Sequence, residues 1–313
     1  LKKQSEQDGQ HRVDHGHVKN PVRVGTLSDL AKNVTVWASG HLKETNYKIS
    51  MSNGFARLVA HMGSDADVVQ AARVSYGTGT KSVSDDRGLI RFLMRHRHTT
   101  PFEMVEFKFH IRAPIFVARQ WLRHRTASVN EMSTRYSVVD TGYFLPDNLR
   151  EQGRTNKQCS GGVLDGDEFL LLKQKASCDM AFHTYDELLR KGCSRELARI
   201  HLPQSTYTEF YWKVNLHNLL HFLKLRMHEH AQKEIRGLAQ QVADLVRPIV
   251  PVTWEAFEDF ELGAVTLSRL EVDALRTGGT YELDARATKG EQNEFKEKIK
   301  LLINAGTSGE PVV

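Results

Sequence analysis

Apolar and polar side chains alternate along one stretch of the chain, with Val105, Phe107, Phe109 and Ile111 set against Glu106, Lys108, His110 and Arg112. A period of two predicts a strand with one buried face. Phe55 to His61 and the aromatic run Tyr207 to Val214 predict two more strands. Elsewhere the apolar spacing is three to four residues, which predicts helices. Asp65 to Tyr76 would turn Val68, Val69, Ala71 and Ala72 to a core, before Gly77, Thr78 and Gly79 break it. A helix opened by Asp85 and Asp86 carries Leu89, Ile90, Leu93 and Met94. It ends in Arg95-His96-Arg97-His98, a basic run that suits a helix C-terminus. Pro114 fits the first position of a helix whose apolar side is Ile115, Phe116, Ala118, Trp121 and Leu122.

Further along, Tyr136 to Pro146 reads as extended chain and Arg150 to Gly166 as a loop. Asp167 to Lys191 predicts a long amphipathic helix with Phe169, Leu172, Ala176, Met180, Tyr185, Leu188 and Leu189 toward the core. Gly192 would end it, and Ser194 would cap a short helix running through His201 to Pro203. A helix from Asn215 to about Gln232 buries Leu216, Leu219, Leu220 and Leu223, and another runs to Val246, with Pro248 and Pro251 as stops. The intermixed pattern predicts an α+β fold, a single mixed domain with a modest sheet packed by long helices. The expected division is an N-terminal extension over residues 1–52, a folded body over 53–262 and a C-terminal extension over 263–313.

Composition narrows the class only a little. The 313 residues are 40% hydrophobic and 26% charged, which suits a globular domain with a sizeable core. The formal net charge of +5 suits anionic ligands without separating nucleotides from nucleic acid. No apolar run approaches the ~20 residues of a membrane helix, and the first 20 residues lack a signal-like apolar core. Cys159, Cys178 and Cys193 show no C-x-x-C spacing, so a reducing, cytoplasmic setting is expected. His11, His15 and His17 read as a surface tail, next to a possible short helix over Thr26 to Lys32.

Chemistry concentrates in Arg119 to Arg135. Arg119, Arg123, Arg125 and Arg135 accompany His124, a single carboxylate (Glu131) and the short hydrogen-bonding side chains Gln120, Thr126, Ser128, Asn130, Ser133 and Thr134. Guanidinium forks match phosphate or carboxylate oxygens, so the set points to a shaped pocket for an anion. Arginines one helical turn apart also occur on plain wet helix faces, and Glu131 could simply neutralise its neighbours. A second concentration lies in Asn215 to Gln232, with His217, His221, His228 and His230. His217 and His221 have zinc-helix spacing, but Asn218 stands where a metalloprotease would need glutamate, so no metal is expected. A functional face of Asn215, Phe222, Arg226 and His230 is the alternative. Arg195 and Arg199 sit one turn apart before Pro203.

The segment Arg123 to Arg135, R-H-R-x-x-S-x-N-E-x-S-x-R, resembles the signature of the flavin-dependent thymidylate synthases. The resemblance runs from about Phe55 to Phe257 and includes A-A-R-V-S at Ala71 to Ser75, T-P-F-E at Thr100 to Glu103 and A-P-I-F-V-A-R-Q-W at Ala113 to Trp121. It implies reductive methylation of dUMP to dTMP, with methylenetetrahydrofolate as carbon donor, bound FAD and NADPH, in a homotetramer whose sites draw on more than one subunit. By the same resemblance His98, Thr100, Arg123, His124, Arg125, Glu131, Asn215, His217 and His221 would contact FAD. Gln120, Arg123, Glu131, Met132, Ser133, Thr134, Arg135, Arg199 and Arg226 would contact dUMP, with Arg226 as the catalytic side chain. Arg199-Ile200-His201-Leu202-Pro203 matches the family's phosphate-binding segment. Met104 stands where family members commonly have histidine, and His217 and His221 where the bacterial pattern has arginine and asparagine.

The chemistry is reasonable for these side chains. A flavin brings redox capacity and leaves positioning and polarisation to the protein. Ser133 has no paired base and is assigned to substrate contact, and no cysteine lies in the motif to act as a nucleophile. Two other classes predict different behaviour. A nucleic-acid-binding protein would be colourless and salt-sensitive, and a zinc hydrolase would lose activity to chelators. Neither nucleic acid nor a membrane is an expected partner.

Overall fold

The alternating segments form the sheet. Strands β1 (Phe55–Met62), β2 (Glu106–Pro114), β3 (Ser128–Glu131) and β6 (Tyr207–Asn215) make a four-stranded antiparallel sheet in the order β1-β2-β6-β3. The computed structural model describes residues 54–74, 86–153, 160–277 and 282–304. Phe107, Phe109, Ile111, Phe210, Trp212 and Val214 fill one sheet face and are buried, whereas Lys108, Tyr211 and Lys213 lie exposed on the other. A one-residue slip would exchange these faces, so burial fixes the register.

Helices close the apolar face. They are α1 (Asp65–Val74), α2 (Asp86–Arg95), α3 (Thr100–Glu103), α4 (Ile115–Trp121), α5 (Glu168–Arg190), α6 (Arg195–Ala198), α7 (Leu216–Arg226), α8 (Lys233–Val246) and α9 (Pro251–Phe257). Trp121 from α4, Trp212 from β6 and Phe222 from α7 meet at the centre, with ring centroids 4.4–5.1 Å apart. All three are fully buried. A ring of this size buries about 150–250 Å², on the order of 4–6 kcal/mol of transfer free energy before entropy is counted. Leu216, Leu219, Leu220 and Leu223 of α7 are buried as the spacing predicts.

Several boundaries differ from the sequence reading. The helix expected over Asn215 to Gln232 stops at Arg226, so His228 and His230 lie off it and exposed. Phe222 is part of the core and does not share a functional face with Arg226. No glycine or proline marks this stop, which is why periodicity ran past it. Pro251 does not end a helix but opens α9 at its first turn, where its missing N–H costs nothing. In α5 burial is confined to Cys178, Phe182 and Tyr185, whereas Phe169 and Leu172 are each 64% exposed. Gly192 ends that helix as expected, with φ +83°.

The loop expected over Arg150 to Gly166 holds a short hairpin of β4 (Arg150–Gln152) and β5 (Ser160–Val163). Tyr136 to Pro146 forms no strand: it makes a single Tyr143–Thr206 bridge and is held by side-chain bonds such as Val139 N–H to Tyr185 Oη and Thr141 Oγ1 to Tyr207 O. Past Leu262, α10 (Arg269–Arg276) and α11 (Lys289–Asn304) pack through Ala274, Phe295 and Ile299. The tail histidines, the Thr26 to Lys32 helix, Ser75, Tyr76, the Gly77 to Gly79 break, Asp85 and Cys159 lie outside the described residues.

Candidate functional site

The arginine-rich segment is not one helix. α4 ends at Trp121, residues 122–127 turn, and Ser128 to Glu131 pair with β6 as the sheet edge. This path divides the motif's side chains between two places.

The first place surrounds Arg226, the last residue of α7. Its Nε donates to His124 Nε2 over 3.1 Å, and Nη2 makes a long contact of 3.4 Å with the main-chain oxygen of Gln120. The His124 ring meets the buried Phe222 edge-on at 4.9 Å and lies 5.9 Å from His221. Burial, then the Arg226 charge and then His221 push His124 down to about 4, so it is neutral at physiological pH. Burial also lowers the Arg226 pKa. Arg123, His124, Arg125, Thr126, Asn218, His221 and Arg226 line a cleft of about 360 Å³. Arg123 and Arg125 are exposed and form no ion pair among the described residues.

A second, more apolar cleft of about 420 Å³ adjoins it, with His221 and Leu225 lining both. Its walls include His98, His217, Leu93, Phe102, Leu220 and Phe257, with the Lys224–Glu261 ion pair also lining it. His98 arrives there through a turn at the end of α2. His98 N–H donates to Leu93 O and Arg97 N–H to Met94 O, at 2.9 and 3.1 Å, with Arg97 at φ +57°. That is a Schellman-type ending with arginine where glycine is usual. Thr100 opens α3 and is exposed. Asn215 is occupied locally: its Oδ1 caps α7 by accepting from Asn218 N–H at 2.9 Å.

The motif's second place lies beyond the edge strand. Register sets Glu131 opposite Phe210, and Glu131 Oε1 accepts from the buried Thr208 hydroxyl at 2.6 Å. Glu131 forms no ion pair with any arginine among the described residues, so it does not neutralise the motif. Met132 N–H donates to Glu209 O, and Ser133 O accepts from Tyr136 N–H, which closes a turn. Arg199 Nη1 donates to Thr134 Oγ1 at 2.9 Å, and Arg195 Nη1 to Tyr136 O at 2.7 Å. Arg135 stacks over Tyr136 at 5.5 Å. No hydrogen bond or ion pair among the described residues joins this group to Arg226.

Sequence reasoning missed Gln232, which accepts from Gln120 Nε2, and Thr208. A polar residue outside any motif gives no signal of a partner 77 or 112 positions away. No three His, Cys, Asp or Glu side chains among the described residues are grouped to hold a metal ion. No helix among them is long and apolar enough to cross a membrane.

The family model for thymidylate synthase complementing protein matches residues 57–252. A flavin-dependent thymidylate synthase of Thermus thermophilus is 56% identical over 259 residues, covering 82% of this chain and 96% of the relative. The chain belongs to the flavin-dependent thymidylate synthase family. A family member from Dictyostelium discoideum is 52% identical over 262 residues, covering 82% of this chain and 84% of its own. Among solved structures, a UMP/dUMP methylase PolB from Streptomyces cacaoi bound with 5-Br dUMP aligns at a TM-score of 0.62 with 39% identity. That alignment covers 67% of this chain and 96% of the methylase. The small antiparallel sheet with its helices is therefore an architecture shared with that methylase.

Proposed function

We propose that the protein converts dUMP to dTMP by reductive methylation, with methylenetetrahydrofolate as carbon donor, FAD bound and NADPH as reductant. The observation that carries this reading is the Arg123–His124–Arg125 turn, whose two arginines form no ion pair among the described residues. Its two guanidinium groups are not neutralised within the described residues and line a cleft with further hydrogen-bonding side chains. That donor set fits a pyrophosphate, and the adjoining apolar cleft at His98, His217 and His221 fits a flat ring system. The residues present thus fit FAD, which supplies the redox capacity when bound.

The chain's own side chains then bind and polarise. Arg226 is aimed by His124 and Gln120, with guanidinium donors left over for the uracil ring, where they favour negative charge. Arg199, with Thr134, Ser133 and Arg135 around one turn, takes the nucleotide phosphate. Glu131, with one oxygen held by Thr208, keeps the other as an acceptor for a ligand hydroxyl. That no bond among the described residues joins the Arg199 group to the Arg226 group supports a homotetramer in which each site takes one group from each of two subunits.

The test is direct. The purified protein should be yellow, carry FAD noncovalently and form dTMP from dUMP only with methylenetetrahydrofolate and a reduced nicotinamide. A protein without flavin bands that gains none on addition of FAD contradicts this reading.

A further inference from the structure

Gln232 stands at the N-cap of α8, yet its side chain makes no capping bond to that helix. An N-cap side chain ordinarily accepts from an N–H in the first turn, so this one forgoes its usual local partner. Its Oε1 instead accepts from Gln120 Nε2, 112 positions away in the sequence. Gln120 in turn offers its main-chain oxygen to Arg226. One glutamine therefore touches both the Arg226 anchor and the start of α8.

We propose that Gln232 is a positioning residue for the nucleotide site: it holds the Gln120 amide with Nε2 turned away, so that Oε1 is presented to the substrate as an acceptor. This rests on the reading of Gln120 as a dUMP contact. An amide has one donating and one accepting end, and a bond that occupies the donor fixes which end remains. A glutamine left loose would also lose rotamer freedom on binding, a cost that a preformed bond removes in advance. The base of Gln232 is fixed. Its carbonyl accepts from Arg236 N–H at 3.0 Å, and Glu234, whose side chain is only 10% exposed, pairs with Arg150 at 2.7 Å. The start of α8 is thus clamped to the β4 strand, and Gln232 works from a rigid mount.

The experiment is a double-mutant cycle on the flavin-loaded, full-length protein. Gln232→Leu should raise the dUMP Kd roughly three- to tenfold, the range for one lost hydrogen bond. Flavin content, melting temperature and turnover at saturating dUMP should stay near those of the parent. Gln232→Glu keeps an acceptor facing Gln120 and should restore affinity to within about twofold. Gln232→Leu added to Gln120→Ala should cost nothing further, because the first acts only through the second. Where Gln232→Leu does not fold, Gln232→Asn serves, since it is polar but too short to reach. An additive double mutant, or Gln232→Leu at parental affinity while Gln120→Ala binds weakly, overturns the positioning role and leaves the dUMP contact standing. Gln120→Ala at parental affinity removes the contact itself, and the positioning role with it.

Discussion

Arg226 Nε donates to His124 Nε2 across 3.1 Å. A neutral imidazole carries one proton, so an accepting Nε2 leaves that proton on Nδ1. The ring cannot rotate freely, because its edge contact with Phe222 ties it to the Trp121–Trp212 core. His124 therefore does two things at once: it orients the guanidinium and presents an Nδ1–H to its surroundings. Glutamine can place a carbonyl oxygen near the Nε2 position, and phenylalanine cannot. His124→Gln should keep a measurable share of single-turnover dTMP formation. His124→Phe should lose on the order of tenfold or more at equal flavin loading. Equal rates for the two variants would show that the acceptor is not what matters.

The same ring makes stability depend on pH. His124 is held at about 4 by burial, Arg226 and His221, against 6.5 for the ordinary group. Between those values the unfolded chain takes up a proton that the folded chain refuses, so stability rises with pH there. The contribution is fully present above about 6.5 and declines as pH falls toward 4. Thermal melts across that window should show a falling midpoint, and His124→Gln should flatten that part of the curve. An unchanged slope in the variant would place the titration elsewhere.

Strands β2 and β6 were legible because period-two alternation is a direct consequence of a half-buried sheet. Edge strand β3 was not: Ser128, Val129, Asn130 and Glu131 are all exposed, and only pairing with β6 makes them a strand. The motif marked the candidate site side chains but not their division between two places, since the turn after Trp121 has no glycine or proline to announce it. Phe169 and Leu172 fit the helical period of α5 yet lie on a stretch that buries nothing, a tertiary fact that spacing cannot carry. Glu131 read as a lone carboxylate among arginines, and its partner proved to be a threonine two register positions away on β6.

Cys178 and Cys193 are both free, and burial pushes the Cys178 thiol up, away from the reactive thiolate form. Among the described residues neither thiol is bonded to an arginine of the motif. A Cys159→Ser, Cys178→Ser, Cys193→Ser variant should keep dUMP methylation, at a stability cost set mainly by the buried Cys178. Complete loss of turnover in a folded, flavin-loaded triple variant would expose a thiol role.

Arg199 reaches Thr134 from the 3₁₀ turn after α6, well apart in the bond network from Arg226. A guanidinium that meets a phosphate contributes equally to bound substrate and transition state, which is uniform binding. Arg199→Ala should therefore raise the dUMP Kd by roughly ten- to a hundredfold, the range for a charge-assisted bond, with much of the single-turnover rate retained at saturation. Loss of rate at saturation with unchanged affinity would assign Arg199 to the reacting ring instead.

Arg226 should behave in the opposite way. It ends a helix whose other side is buried through Leu216, Leu219, Leu220 and Leu223, so its backbone is rigid. Its Nε is committed to His124, which turns the rest of the planar fork in a fixed direction. Lysine keeps the charge but has no Nε–H to give His124 and no second, coplanar donor for a ring oxygen and nitrogen together. Preorganised donors of this kind are typically worth about 3–4 kcal/mol in the transition state, or on the order of a hundredfold or more in rate. Arg226→Lys should thus fold, retain FAD and lose most single-turnover dTMP formation even with dUMP saturating. Partial recovery of dUMP affinity without recovery of rate would fit, because a lysine charge can still attract the anion. If Arg226→Lys forms dTMP at the parent rate with substrate bound, the guanidinium does not polarise the ring, and its bond to His124 serves only to pack the end of α7.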